Sequence, residues 1–340
     1  MNQSNFYDWY KLTVCVTSCC DQKCLMCPAS LEDRNTLNRS VITELIRFAA
    51  ANGFKELEFT GGEPLLLGGM PELIDMACRS IPLVQLTTNG LRLNDGLIER
   101  LARYRNLFLL LPVDGIGETY DRIRQVSGSF VRFVRILEKV LDAHIPVVLN
   151  TVVQKKNHHE LHRIYTYFSS RPILFHGFPL IEHLNGNERE RLHADQAEAM
   201  LLELGRIEDA AIRGRRPVPV TRRLRRWYGK LLRDPATIMH SGVRCPVPFR
   251  NLIVTATGFA IPCWQHDWRF QEGLRGLRVR NIEAVVNDKR IKDEIRNAVG
   301  ESGCRGCATF CYNWDPEVQH DIYGCRSEGF REHLLGKATG

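Results

Sequence analysis

The pattern that most constrains this chain is a sixfold alternation of short apolar runs with amphipathic stretches. Lys11–Val16, Glu56–Thr60, Leu83–Thr88, Leu107–Val113, Pro146–Val153 and Ile173–Phe178 read as strands. Several are apolar almost throughout, as strands covered on both faces are. Arg39–Ala51, Pro71–Arg79, Asp95–Arg103, Phe130–Ala143 and His158–Ser169 read as the helices between them. Repetition of this kind predicts an α/β fold with a parallel sheet and right-handed crossovers. Six units rather than eight predict a partial (β/α)6 TIM-like barrel, with its chemistry on loops at the C-terminal ends of the strands.

After Phe178 the pattern changes. A polar helix is expected over His193–Arg213, then a basic linker, then a hairpin of Asn251–Ala256 and Phe259–Pro262 turning at Thr257-Gly258. Another helix is expected near Ile282–Ala298. The chain therefore divides into a core of residues 1–235 and a small cysteine-rich domain of residues 240–330, with no internal repeat.

Compartment decides how the twelve cysteines are read. The longest apolar run, Leu107–Val113, has strand length and falls far short of the ~18–20 residues of a membrane span. Met1–Trp9 has no basic region leading into an apolar one, so no secretory signal is expected. A cytoplasmic, reducing location follows, where disulfides are disfavoured. Five cysteines lie between Cys15 and Cys27 and six between Cys245 and Cys325, a bunching that points to metal ligation. The formal charge of +7 overstates the basic character, because a ligating cysteine is a thiolate. It is no argument for a nucleic-acid partner.

The loop after the first strand reads Cys20-Asp-Gln-Lys-Cys24-Leu-Met-Cys27. Three thiolates at this spacing suit three irons of a [4Fe–4S] cubane and leave the fourth open to a chelating small molecule. The alternative is a zinc site closed by Cys15 or Cys19. Further candidates end successive strands: Thr60-Gly61-Gly62-Glu63-Pro64, Thr87-Thr88-Asn89-Gly90, Val113-Asp114-Gly115 followed by Tyr120-Asp121-Arg122-Ile123-Arg124, and Asn150. Each alone reads as a turn or a cap; together they mark one end of the sheet.

With these motifs, residues 11–178 resemble the core domain of the radical S-adenosylmethionine (SAM) superfamily. The resemblance implies that Cys20, Cys24 and Cys27 hold the cluster that cleaves SAM reductively to a 5′-deoxyadenosyl radical. It implies that Gly61, Gly62 and Glu63, with Pro64 beside them, meet the methionine amino group. Thr88, Asn89, Asp114 and Asn150 are the further cofactor-binding candidates. Met26 stands where the family usually has an aromatic residue. A flavodoxin- or ferredoxin-like electron donor is the implied partner.

The C-terminal cysteines resemble the SPASM/twitch extension that carries auxiliary [4Fe–4S] clusters in such enzymes. Twelve residues separate Cys245 from Gly258, and four separate Gly258 from Cys263; Cys304-x2-Cys307 and Cys311 follow. One arrangement places a single auxiliary cluster on Cys245, Cys263, Cys304 and Cys307, leaving Cys311 and Cys325 as thiols able to donate a hydrogen atom. The other closes one cluster with Cys304, Cys307, Cys311 and Cys325 and gives Cys245 and Cys263 to a second. A zinc ribbon is the bland reading of this tail, and a non-catalytic metal module binding RNA or protein is the rival class for the whole.

The strand-one start near residue 11 leaves no room for an N-terminal leader-binding domain, which favours a small polar substrate: a sugar, aminocyclitol or nucleoside, oxidised or epimerised. A ribosomal peptide is the alternative. Seven arginines between Arg213 and Arg226 read as a solvated linker, or as a surface for an anionic substrate or an acidic donor. His158 and His162 are spaced i, i+4, but Arg163 breaks the zinc-protease pattern. His176, late in the sixth strand, and Glu182 and His183 after it are candidate substrate contacts.

Overall fold

The computed structural model describes residues 10–27, 34–180, 188–216, 222–233 and 251–261. They fall into two compact units. The described parts of the first are residues 10–21, 34–88 and 251–261; those of the second are residues 22–27, 89–180, 188–216 and 222–233.

The first unit contains β1 (Lys11–Thr17), α1 (Arg39–Ala51), β2 (Glu56–Gly61), α2 (Met70–Ser80), β3 (Leu83–Thr87), β7 (Asn251–Val254) and β8 (Ala260–Ile261). The strand order is β3-β2-β1-β7-β8. All neighbours are parallel except the β7–β8 hairpin. The hairpin turns where the sequence predicts, with Gly258 at φ +81° and its N–H donating to Thr255 O at 2.9 Å. β7 runs beside β1, pairing Lys11 with Asn251 and Val14 with Val254.

Register sorts the strand residues of this unit by face. Leu12, Val14, Leu57, Phe59, Val84 and Leu86 are fully buried on one side. On the other, Lys11 pairs with Glu56, Thr13 with Glu58, and Glu58 with Gln85. Lys11 Nζ lies 2.8 Å from both Glu56 and Glu58. Glu58 also accepts from Thr13, Gln85 and Thr87. Burial opposes the ammonium charge of Lys11, but Glu56 and Glu58 overrule it and raise its pKa. Burial pushes the Glu58 carboxyl up, and Lys11 with the hydroxyl donors brings it below the usual carboxylate range. The polar residues of β1 and β2 thus satisfy one another across the sheet.

The second unit contains α3 (Asp95–Leu101), β4 (Leu107–Pro112), α4 (Glu118–Arg124), α5 (Ser129–Asp142), β5 (Val147–Asn150), α6 (Leu161–Phe168), β6 (Phe175–Gly177), α7 (Ala197–Arg213) and α8 (Arg222–Arg233). Its strands are parallel in the order β4-β5-β6. α5 buries Phe130, Phe133, Leu137, Val140 and Leu141, the i, i+3, i+7 stripe that makes it readable from sequence. α4 is a helix the sequence reading did not predict. Part of the arginine-rich stretch read as a linker is also helical: α8 is tied to α7 through Arg225 and Glu208. The tail after Ile261, with the helix expected near Ile282–Ala298, lies outside the described residues.

His176, on β6, carries a prediction. It is buried, and its ring stacks on Phe178 with centroids 4.4 Å apart. Thr151 donates its hydroxyl to Val113 O, so its oxygen is left to accept from His176 Nε2–H at 2.8 Å. Burial lowers the imidazole pKa to about 3. The native state therefore keeps His176 neutral, while the unfolded chain takes up a proton below its ordinary value near 6.5. Stability is unaffected by this group above that pH and falls as pH drops towards 3. Between pH 7.5 and pH 5 the loss is about 2 kcal/mol. Urea unfolding at the two pH values, for the parent and His176→Gln, will show that increment missing from the variant; equal pH dependence in both would refute the assignment.

Candidate functional site

The site residues are presented by loops that follow the strands. In the first unit the end of β1 and the end of β2 are joined backbone to backbone. Gly62 N–H donates to Thr17 O at 2.6 Å, and Glu63 N–H donates to Cys19 O at 2.8 Å. Gly61 adopts φ +129°, and a Cβ there would lie 2.3 Å from Thr17 O. A Cβ on Gly62 would lie 2.1 Å from Cys19 O. Both glycines are thus required by the approach of the chain to itself, immediately before Cys20. Pro64 opens a short 3-10 turn, Pro64–Leu66. Glu63 is fully buried, and its Oε1 accepts from Leu65 N–H at 3.1 Å and from Thr88 Oγ1 at 2.8 Å. Thr88 therefore orients Glu63.

In the second unit the segment with Cys24 and Cys27 lies along the C-terminal turn of α4. Leu25 N–H donates to Ile123 O at 3.0 Å, and Lys23 N–H donates to Arg124 O at 3.4 Å, satisfying carbonyls that a helix end leaves without partners. Cys24 and Met26 are buried with Ile123, and Cys27 and Val152 pack against them. Met26 is accordingly an apolar packing residue of this loop. Asp114 is fully buried; its Oδ1 accepts from Val152 N–H at 2.7 Å, and its other oxygen pairs with Arg124. Arg124 Nη1 reaches Cys24 Sγ at 3.4 Å. Burial alone would lower the arginine pKa, but Asp114 and then Cys24 raise it, so the guanidinium stays charged.

Asn89 accepts from Leu91 N–H through its side chain at 2.9 Å, closing the turn after β3. Asn150 ends β5, and its backbone O accepts from Val113 N–H at 2.8 Å. His158 sits in the turn before α6, with Nδ1 2.9 Å from Lys155 O. Arg124 stands in the sequence among the candidates after Asp114, but its contact with Cys24 is visible only in the structure. Cys245, Cys263, Cys304, Cys307, Cys311, Cys325, Glu182 and His183 lie outside the described residues.

The donor set fits an iron–sulfur cluster. Cys20, Cys24 and Cys27 stand on one eight-residue segment. In the first unit the Gly61-Gly62 approach holds the backbone just before Cys20; in the second, the end of α4 holds the backbone on either side of Cys24. A buried cation stands beside one sulfur, as suits a thiolate ligand. A cubane takes one thiolate per iron on separate corners, whereas zinc draws its ligands to one point.

Residues 14–168 match the family model described as the Radical SAM superfamily. The family uses a [4Fe–4S] cluster and S-adenosylmethionine. The stretch is similar to the sporulation killing factor maturation protein SkfB of Bacillus subtilis, 28% identical over 151 residues, 44% of this chain and 37% of SkfB. The GTP 3′,8-cyclase of Clostridium botulinum is 29% identical over 154 residues, covering 42% and 47%. The PqqA peptide cyclase of Granulibacter bethesdensis is 26% identical over 153 residues, covering 44% and 41%. These matches span less than half the length of each relative. The fold is similar to that of anSMEcpe, solved with bound AdoMet and the Kp18Cys peptide: TM-score 0.65, 15% identity, 97% of this chain and 99% of that one. The likeness establishes an α/β fold of the partial-barrel type. No helix among the described residues is long and apolar enough to cross a membrane.

Proposed function

We propose that this protein is a radical SAM enzyme that modifies a peptide. Cys20, Cys24 and Cys27 would hold the [4Fe–4S] cluster, with Gly61, Gly62, Glu63, Asn89 and Asn150 around the SAM that completes it. When loaded, that pair supplies a carbon radical able to take a hydrogen atom from an unactivated position. The chain's own part is preparatory: the glycine approach sets the entry of the cysteine loop, Thr88 aims Glu63, and α4 fixes Cys24. Cys245, Cys263, Cys304 and Cys307 would hold an auxiliary cluster, with Cys311 and Cys325 as candidate hydrogen donors and a flavodoxin- or ferredoxin-like protein as electron source.

The observation that carries the peptide reading is the likeness of the radical SAM stretch to SkfB and to a PqqA peptide cyclase. It reverses the order the sequence suggested, in which a small polar substrate came first. The GTP cyclase likeness keeps that second reading in view. The test is anaerobic incubation with SAM, dithionite and synthetic peptides spelling the short reading frames beside the gene. A peptide that raises 5′-deoxyadenosine formation and changes mass supports the proposal. Turnover with sugars or nucleosides and with none of the peptides would refute it.

A further inference from the structure

α4 is short, yet three separate features of its last turn converge on Cys24. Its terminal carbonyls accept the N–H groups of Lys23 and Leu25, on either side of that cysteine. Gln125, at φ 58°, ends the helix so that the chain turns away and leaves those carbonyls to the loop. The Arg124 side chain then folds back. One nitrogen meets Cys24 Sγ at 3.4 Å, the other meets Asp114, and the guanidinium carbon lies 5.3 Å from the centre of the Tyr120 ring. Arg124 is only 4% exposed and Asp114 not at all.

A cation is costly to bury without a partner, and Asp114 supplies one. Asp114 is itself pinned by Val152 N–H, so it fixes the direction in which the guanidinium points. That direction is a sulfur. An N–H donor and a positive charge at a ligand sulfur draw electron density from it and stabilise the more negative, reduced form of a cluster.

We propose that Arg124 is a positioning residue for the SAM-binding cluster: aimed by Asp114, it hydrogen-bonds the Cys24 thiolate and raises the cluster's reduction potential. A mild protein donor can then deliver the single electron that converts the oxidised cluster to the reduced one. This rests on the reading that Cys20, Cys24 and Cys27 ligate that cluster.

The test is a potentiometric titration followed by electron paramagnetic resonance. It uses the loaded full chain, and the signal followed is the one absent from Cys20→Ala/Cys24→Ala/Cys27→Ala. Two variants are compared. Arg124→Gln/Asp114→Asn removes both charges together and leaves neither buried alone. Arg124→Lys keeps a point charge but loses the fork. At wild-type iron content the double variant is expected to be about tenfold harder to reduce, a midpoint about 59 mV more negative for one electron. The lysine variant should move in the same direction and less far. Unchanged midpoints in both would overturn the proposal. If the double variant does not assemble, the lysine variant decides: a more negative midpoint supports the proposal and an unchanged one overturns it. Failure of the underlying reading looks different, since the triple alanine variant would then keep the signal and its iron.

Discussion

Replacing Cys20, Cys24 and Cys27 together by alanine will abolish 5′-deoxyadenosine formation from SAM and dithionite, by at least about a thousandfold, while the chain still folds. The activity loss follows from coordination: without three thiolates the cubane has no seat, and without the cubane there is no one-electron path to SAM. The variant should contain about four fewer irons per chain than the parent. Retention of the fold follows from where the sulfurs sit. Cys20 and Cys27 are half-buried on a loop, outside the strands and helices that form the core. Removing the Cys24 sulfur leaves Arg124 with Asp114 as its partner, so no buried charge is orphaned. Circular dichroism and deoxyadenosine analysis by liquid chromatography check the two halves together. Deoxyadenosine formed at parental rates by the triple variant would overturn the assignment of the site.

Gly62→Ala is expected to be nearly as damaging, through packing rather than ligation. The added methyl would meet Cys19 O at 2.1 Å, Cys19 C at 2.6 Å and Ser18 C at 2.9 Å, all of them backbone. None can swing aside as a side chain would. Relief requires β2 to part from the end of β1, breaking Gly62 N–H to Thr17 O and Glu63 N–H to Cys19 O. Two hydrogen bonds and the overpacking together come to roughly 3 kcal/mol or more. The displaced segment leads directly into Cys20, so iron content should fall along with the melting temperature. Gly68→Ala, at a position where a Cβ meets nothing within 4 Å, is the control and should change neither. A Gly62→Ala protein with parental stability and iron would show that the two strand ends are not joined in this way.

Elements with strong apolar periodicity stand where the sequence places them. α1 coincides with its predicted bounds, and α2 and α5 agree within a residue at each end, because their buried stripes are long and unbroken. α6 starts at Leu161 rather than His158, because Asn157 closes a turn there: its side chain accepts from Gln154 N–H and donates to Asp114 O and Val152 O. α4 escaped because seven residues make too little periodicity to register. α8 escaped because its arginines read as solvated, whereas Glu208 on α7 holds Arg225 and accepts from Arg222 N–H. The cysteine motif needed only local spacing and was readable at once. The link from Arg124 to Cys24 joins residues a hundred positions apart, and no local pattern announces such a contact. Gly61-Gly62 is legible as a glycine pair ending a strand, but that it lies against the backbone of Thr17 and Cys19 is visible only once the strands are paired.

The docking of Lys23 and Leu25 on the end of α4 bears on how the protein is matured. Both hydrogen bonds are made by backbone, so neither depends on metal. Fixing a residue's backbone costs about 1–2 kcal/mol of conformational entropy, and here helix formation meets that cost for the residues flanking Cys24. Cluster insertion then does not have to organise this part of a slack loop. If Cys20, Cys24 and Cys27 take a cluster as proposed, the free energy of iron–sulfur ligation goes into holding it rather than into ordering the segment around Cys24.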